Sequence, residues 1–180
     1  ADMPLNTVEI TSNGRYVISS VLDKEKTIQV WDVLGEEVTV KTLAGHDRVS
    51  AFPLILSPDE EHIVYRWLIP EIRIQNWRTG EVKHLLKSLG ELTSLAITPN
   101  GKRILGAVDR GSNALLRVWD FDSGAKLNQF EIQGPVLQKM KVSSDGRSVF
   151  SIADDYTLRV WDLNSGRRLA TATLDGILSC

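Results

Sequence analysis

The chain is poor in most of what ordinarily carries chemistry. Its 180 residues hold one cysteine, Cys180, so neither a disulfide framework nor a cysteine metal site can form within it. No His/Cys cluster has metal-ligand spacing and no glycine loop is built to cradle phosphate, so no cofactor or metal is expected. Charge of one sign is missing too. There are 21 Lys+Arg against 23 Asp+Glu, with 10 basic and 13 acidic residues up to position 90 and 11 and 10 beyond it. Neither half is a polycation, which argues against a nucleic-acid partner. No apolar run approaches the roughly 18 residues of a membrane helix. Each of the three histidines has a structural place: His46 in a turn, His62 in a second strand and His84 in a fourth. No nucleophile is placed beside any of them, so no catalytic residue is assigned.

What the chain does have is repetition, with a period near 44 residues. Trp-Asp occurs at Trp31-Asp32, Trp119-Asp120 and Trp161-Asp162, with a degenerate copy at Asn76-Trp77-Arg78. A turn sequence precedes each one: Thr11-Ser-Asn-Gly14, Ser57-Pro-Asp-Glu60, Thr98-Pro-Asn-Gly101 and Ser143-Ser-Asp-Gly146. A glycine follows each one, at 35, 80, 124 and 166. Between these markers run short alternating segments rich in β-branched residues, such as Thr27-Ile-Gln-Val-Trp31 and Thr157-Leu-Arg-Val-Trp161. Four strands per repeat are predicted, and no helix.

Four strands in 40–45 residues, the third ending in Trp-Asp, resembles the WD-repeat family of β-propellers. The most specific copy runs from Ser144 to Asp162. The resemblance implies an all-β chain of four four-stranded antiparallel blades, an incomplete ring in one chain. The blades fall at about 5–43, 46–88, 90–131 and 134–174, with 175–180 opening a truncated fifth. The missing initiator Met and the abrupt end fit an excised piece.

The resemblance also implies structural roles. In the family a His, a Ser/Thr, an Asp and the Trp form a buried hydrogen-bonded tetrad, because a buried indole N–H needs an acceptor. The matching residues are Ser19, Asp23 and Trp31 in blade 1; His46 and Trp77 in blade 2, with Tyr65 at the Ser position; Trp119 in blade 3, with Gly106 at the Ser position and Asp109 in the turn; and Ser151, Asp155 and Trp161 in blade 4. No blade carries a full set. Asn76 stands where the other third strands have Val30, Val118 and Val160.

The interval from the Ser position to the Trp is 12, 12, 13 and 10 residues in the four blades, so blades 1 to 3 are expected to carry extra residues in one equivalent loop. Those loops run over 22–26, 66–70 and 109–113. In the family they lie on the partner-binding rim, and insertions on one face of a repeat array suggest use of that face. The middle loop is apolar, with Trp67, Leu68 and Ile69. Trp67 either binds a partner or folds inward to fill space left by the incomplete tetrad. By analogy the rim positions at strand entry are Ser50, Phe52, Glu91, Thr93, Val136 and Gln138, with Asp154. Asp154-Asp155 could pass for a catalytic pair, but Asp155 matches a tetrad position. The dibasic Arg167-Arg168 sits in a turn where solvated charge is the ordinary state, so no membrane partner is expected.

The expected function is a non-catalytic protein–protein interaction scaffold in the cytoplasm, binding a protein or peptide on its loop-bearing rim. The other readings are the sensing or autoinhibitory WD-repeat region of a larger NTPase receptor of the innate-immune NACHT type, and, more remotely, a propeller enzyme. Four blades leave two broad sheet faces bare. Either the missing blades of a longer chain cover them, or two four-blade arcs self-associate into an eight-bladed ring with blade 1 against blade 4.

Overall fold

A computed structural model describes residues 5–21, 27–44, 53–68, 70–111, 113–133 and 137–173. Within them the chain is strand and turn, with no helix and so none long and apolar enough to cross a membrane. Sheet 1 comprises β1 (Leu5–Ile10), β2 (Tyr16–Val21), β3 (Ile28–Asp32) and β4 (Thr39–Ala44). Sheet 2 comprises β5 (Leu54–Leu56), β6 (His62–Leu68), β7 (Glu71–Asn76) and β8 (Val82–Lys87). Sheet 3 comprises β9 (Glu91–Ile97), β10 (Arg103–Asp109), β11 (Asn113–Asp120) and β12 (Lys126–Gln133). Sheet 4 comprises β13 (Leu137–Val142), β14 (Ser148–Ala153), β15 (Thr157–Asp162) and β16 (Arg168–Thr173). Each is an antiparallel meander with strands paired in chain order. The chain divides into two compact units, Ala1–Lys87 with sheets 1 and 2, and Ser88–Cys180 with sheets 3 and 4.

Local chemistry builds the first hairpin of every sheet. The hydroxyl of Thr11, Ser57, Thr98 or Ser143 donates to the Asn13, Asp59, Asn100 or Asp145 side chain two residues on. The same side-chain oxygen accepts the backbone N–H of Arg15, Glu61, Lys102 or Arg147 at 3.0–3.1 Å. That closes an Asx-type turn whose next residue needs positive φ. Gly14, Gly101 and Gly146 supply it at 67–70°. In sheet 2 Glu60 adopts 58° without being glycine, at a cost that a β-carbon normally makes prohibitive in runs but tolerable at one residue. The third-to-fourth-strand hairpins use the last residue of the third strand in a similar way. The Asp162 carboxylate accepts from Ser165 Oγ and N, both at 2.7 Å, and Asp120 does the same with Ser123.

Period-two alternation gives each sheet two faces, and both are apolar. In the first unit Ile18, Ile28 and Val30 of sheet 1 join Leu54, Ile63, Tyr65 and Trp77 of sheet 2 in one buried cluster. In the second, Leu105, Leu116 and Val118 of sheet 3 join Leu137, Val149, Trp161 and Leu163 of sheet 4. The two pairs use the same register. Hydrogen bonding places Ile18 with Leu105, Ile28 with Leu116, and Ile63 with Val149 as equivalent positions. In each unit an outer sheet face carries exposed apolar residues. On sheet 1 the face away from sheet 2 shows Val8, Ile10 and Val40 around Trp31. On sheet 4 the face away from sheet 3 shows Phe150 and Ile152, beside Leu158 and Val160.

Burial decides which substitutions matter. Ile63 is fully buried between sheets 1 and 2, so Ile63→Ala should cost about 2–5 kcal/mol in urea denaturation, while Leu169→Ala, at 48% exposure, should stay within about 0.5. The turn aspartates predict acid sensitivity. Hydrogen bonds from Ser165 and from Ser143 hold the Asp162 and Asp145 carboxyls below the usual range. A carboxyl depressed on folding stabilises the native state above its unfolded pKa, and that contribution is lost as pH falls through the folded value. Stability should therefore decline as pH drops below about 4, and the double variant Asp145→Asn/Asp162→Asn should flatten the decline.

Candidate interaction surface

The candidate surface rests on a cross-strand pair inside each sheet. Trp31 Nε1 donates to Ser19 Oγ at 3.0 Å in sheet 1, and Trp161 Nε1 donates to Ser151 Oγ at 2.9 Å in sheet 4. Ser19, Ser151 and Trp161 are buried, while Trp31 is half-buried on the open face of its sheet. In sheet 3 the partner position is Gly106. A β-carbon there would fall 2.8 Å from Leu92 Cδ1 and 3.0 Å from the Trp119 ring, so the indole occupies the space a serine would take.

Sheet 2 departs from the sequence alignment by two residues. Pairing sets His62 opposite Asn76, as Tyr16 is opposite Asp32 and Ser148 opposite Asp162. Asn76 is thus the counterpart of the Trp-Asp aspartates, and its side chain accepts from the Arg78 and Thr79 N–H groups. Ile74, not Asn76, matches Val30, Val118 and Val160. Gln75, not Trp77, occupies the indole position. Tyr65 Oη donates to Gln75 Oε1 at 2.6 Å, and Gln75 Nε2 donates to the Gly80 carbonyl at 2.8 Å. The large and small partners have exchanged strands, and burial pushes the Tyr65 phenol pKa up, keeping it a donor. Trp77 lies two residues after Gln75, in the turn beyond the strand, buried, with Nε1 donating to the Glu60 carbonyl at 2.8 Å.

With this register, sheet 2 carries no insertion between its second and third strands. Tyr65 pairs with Arg73 as Ser151 pairs with Arg159, so the 66–70 loop has the length of its sheet 4 counterpart. Trp67 is half-buried against the sheet 1–sheet 2 cluster, edge-on to Tyr65 at 6.1 Å, with the Arg73 guanidinium 3.3 Å above its ring. Part of its ring packs on that cluster and part is exposed. Leu68 ends β6 opposite Glu71. Asp155 is committed locally. Its carboxylate accepts from Thr157 Oγ1 at 2.6 Å and from Arg159 Nη2, with no bond to Ser151 or Trp161. Asp109 caps its own hairpin through the Gly111 N–H at 2.6 Å. Asp23, His46, Ser50, Phe52, Ile69 and Val136, with the 22–26 loop, lie outside the described residues.

In the second unit several rim positions do meet. Thr93 Oγ1 donates to the Leu137 carbonyl at 2.6 Å and fixes the entry of β13 beside β9. Next to it the exposed Gln138 Nε2 donates to Asp154 Oδ1 at 2.5 Å, and Glu91 is exposed at the start of β9. This edge presents acids and an amide on well-held strand ends. It offers recognition groups but no nucleophile–base pair. Sequence reasoning missed Gln75 and the Tyr65–Gln75 pair. The signal was present: ten residues separate Tyr65 from Gln75, as ten separate Ser151 from Trp161.

Two substitutions test the cross-strand pairs by thermal or urea unfolding. Ser151→Ala strands the buried Trp161 N–H and should cost about 1–3 kcal/mol. Gly106→Ser, which would restore the serine of the other sheets, should destabilise instead, because its β-carbon meets Leu92 and Trp119. No protein-family model matches this chain, and no curated protein matches it either.

Proposed function

We propose that the chain is a non-catalytic protein-interaction module of the WD-repeat propeller type, and that its two open sheet faces are association surfaces filled by a second copy. The observation that carries this reading is the register of those faces. Phe150, Leu158 and Val160 on the open face of sheet 4 occupy the positions that Leu105, Leu116 and Val118 use in sheet 3, and Ile18, Ile28 and Val30 in sheet 1, to cover the following sheet. Val17 and Trp31 on the open face of sheet 1 occupy the positions that Val149 and Trp161 use to cover the preceding one. Sheet 4 of one copy is therefore matched to sheet 1 of another by the packing rule already used twice within the chain. Apolar faces of this extent are rarely left in water.

In such a ring the Gln138–Asp154 edge, with Glu91, stands free for a further protein or peptide. Its mixed acidic and amide character, without an arginine cluster, suits a basic or polar partner rather than a phosphopeptide.

Association is measurable directly. Sedimentation equilibrium should give a species of at least twice the 20.1 kDa chain mass. Ile10→Lys or Phe150→Lys should each return it to monomer, since either charge would be buried in the contact. A well-folded chain that remains monomeric at high micromolar concentration would refute self-association.

A further inference from the structure

Within the first unit, sheets 1 and 2 leave an open groove of about 310 Å³, at the lower end of ligand-site sizes. Tyr16 and Trp77 form its aromatic base, their ring centroids 5.0 Å apart and tilted by 56°. Val30 and Val40 add apolar wall. Two cations stand over it. The Arg78 guanidinium lies 4.0 Å from the Trp77 ring centre and 4.7 Å from that of Tyr16. Lys41 Nζ donates once, to the Arg78 carbonyl at 2.9 Å, which leaves two of its hydrogens to give. The carboxylate in the lining, Asp32, is taken by Arg15, which binds both its oxygens at 2.8–3.1 Å. No carboxylate among the described residues is bonded to Lys41 or Arg78.

The second unit shows what fills such a space when it is closed. Its matching turn carries Gly166, hydrogen-bonded to Asp162 as Gly80 is to Asn76. There the Phe130 ring covers the turn so closely that a β-carbon at Gly166 would lie 1.9 Å away. At Gly80 the nearest atom is Gln75 Nε2 at 4.0 Å, and no aromatic arrives from β4. The first unit has kept an aromatic floor and two cations but lacks the ring that would cap them.

From this we infer that the groove between sheets 1 and 2 binds a short extended peptide of a partner protein, carrying an apolar side chain flanked by carboxylates. The apolar side chain takes the place that Phe130 takes in the second unit, against Tyr16 and Trp77. The flanking carboxylates pair with Arg78 and Lys41, whose charges no carboxylate among the described residues answers. The groove shares Val40 with the margin of the open sheet 1 face, and shares no residue with the open face of sheet 4 or with the Gln138–Asp154 edge.

Fluorescence polarisation with three fluorescein-labelled octapeptides tests it. The first holds leucine and phenylalanine between aspartates and glutamates, the second replaces the acids with lysine, and the third replaces the apolar pair with serine. The first should bind saturably, and the other two at least tenfold more weakly. Lys41→Glu and Arg78→Glu should each weaken the first peptide tenfold or more. Lys102→Glu, in an exposed turn of the second unit, should leave it unchanged, and Ile10→Lys, which targets self-association, should leave it unchanged too. Should Arg78→Glu fail to fold, the exposed Lys41→Glu decides. Equal binding of the lysine or serine peptide, indifference to Lys41→Glu, or no saturable binding would each overturn the assignment.

Discussion

A thin antiparallel sheet that is apolar on both faces cannot stand alone in water, and that constraint governs the rest of this molecule. Fully burying one isoleucine or leucine is worth about 1.5–3 kcal/mol, and each of these sheets offers several such residues per face. Helices that could cover them are absent among the described residues. Only another sheet of the same kind can do it, which is why the positions of Ile18, Ile28 and Val30 recur as Leu105, Leu116 and Val118, each set turned toward a neighbour. The repeat length follows from the same requirement: four short strands and three tight turns are the unit that presents two such faces.

The turns were legible in the sequence because their chemistry is local. A hydroxyl, an Asn or Asp two residues on and a residue of positive φ make a turn wherever they fall together, and all four hairpins obeyed. Even the exception at Glu60 kept the geometry, because the Ser57 and Asp59 bonds around it supply most of what fixes the turn. Strand type and number were legible for a similar reason, since period-two patterning acts over a few residues.

The slip in sheet 2 was not legible from residue identity. Aligning on tryptophan assumes that the large side chain of the cross-strand pair always comes from the third strand. In sheet 2 it comes from the second, as Tyr65, and the third supplies Gln75. What recurs in sheets 1, 2 and 4 is a side-chain hydrogen bond between the second and third strands at one register, and in sheet 3 the Trp119 ring fills that place against Gly106. Which strand contributes the bulk is free to change. Counting from Tyr65 to Trp77 gives 12 residues and implies an insertion at 66–70, whereas counting to Gln75 gives the 10 of sheet 4. Spacing measured between hydrogen-bonded partners gives the second count.

The same exchange explains why the first unit differs from the second on its flank. With Gln75 in the pair, Trp77 falls in the turn, where the other sheets place Val33, Phe121 and Leu163. An indole there reaches Tyr16 on the neighbouring sheet and gives Arg78 a surface to lie on. Arginine stacked on aromatic rings keeps its outward N–H groups free, because the attraction uses the face of the guanidinium and not its edge. A lysine in the same place would spend its charge on one point. The groove is therefore a consequence of a core substitution two residues away. The cations that line it remain available because the nearby carboxylate, Asp32, is held by a two-oxygen bond to Arg15.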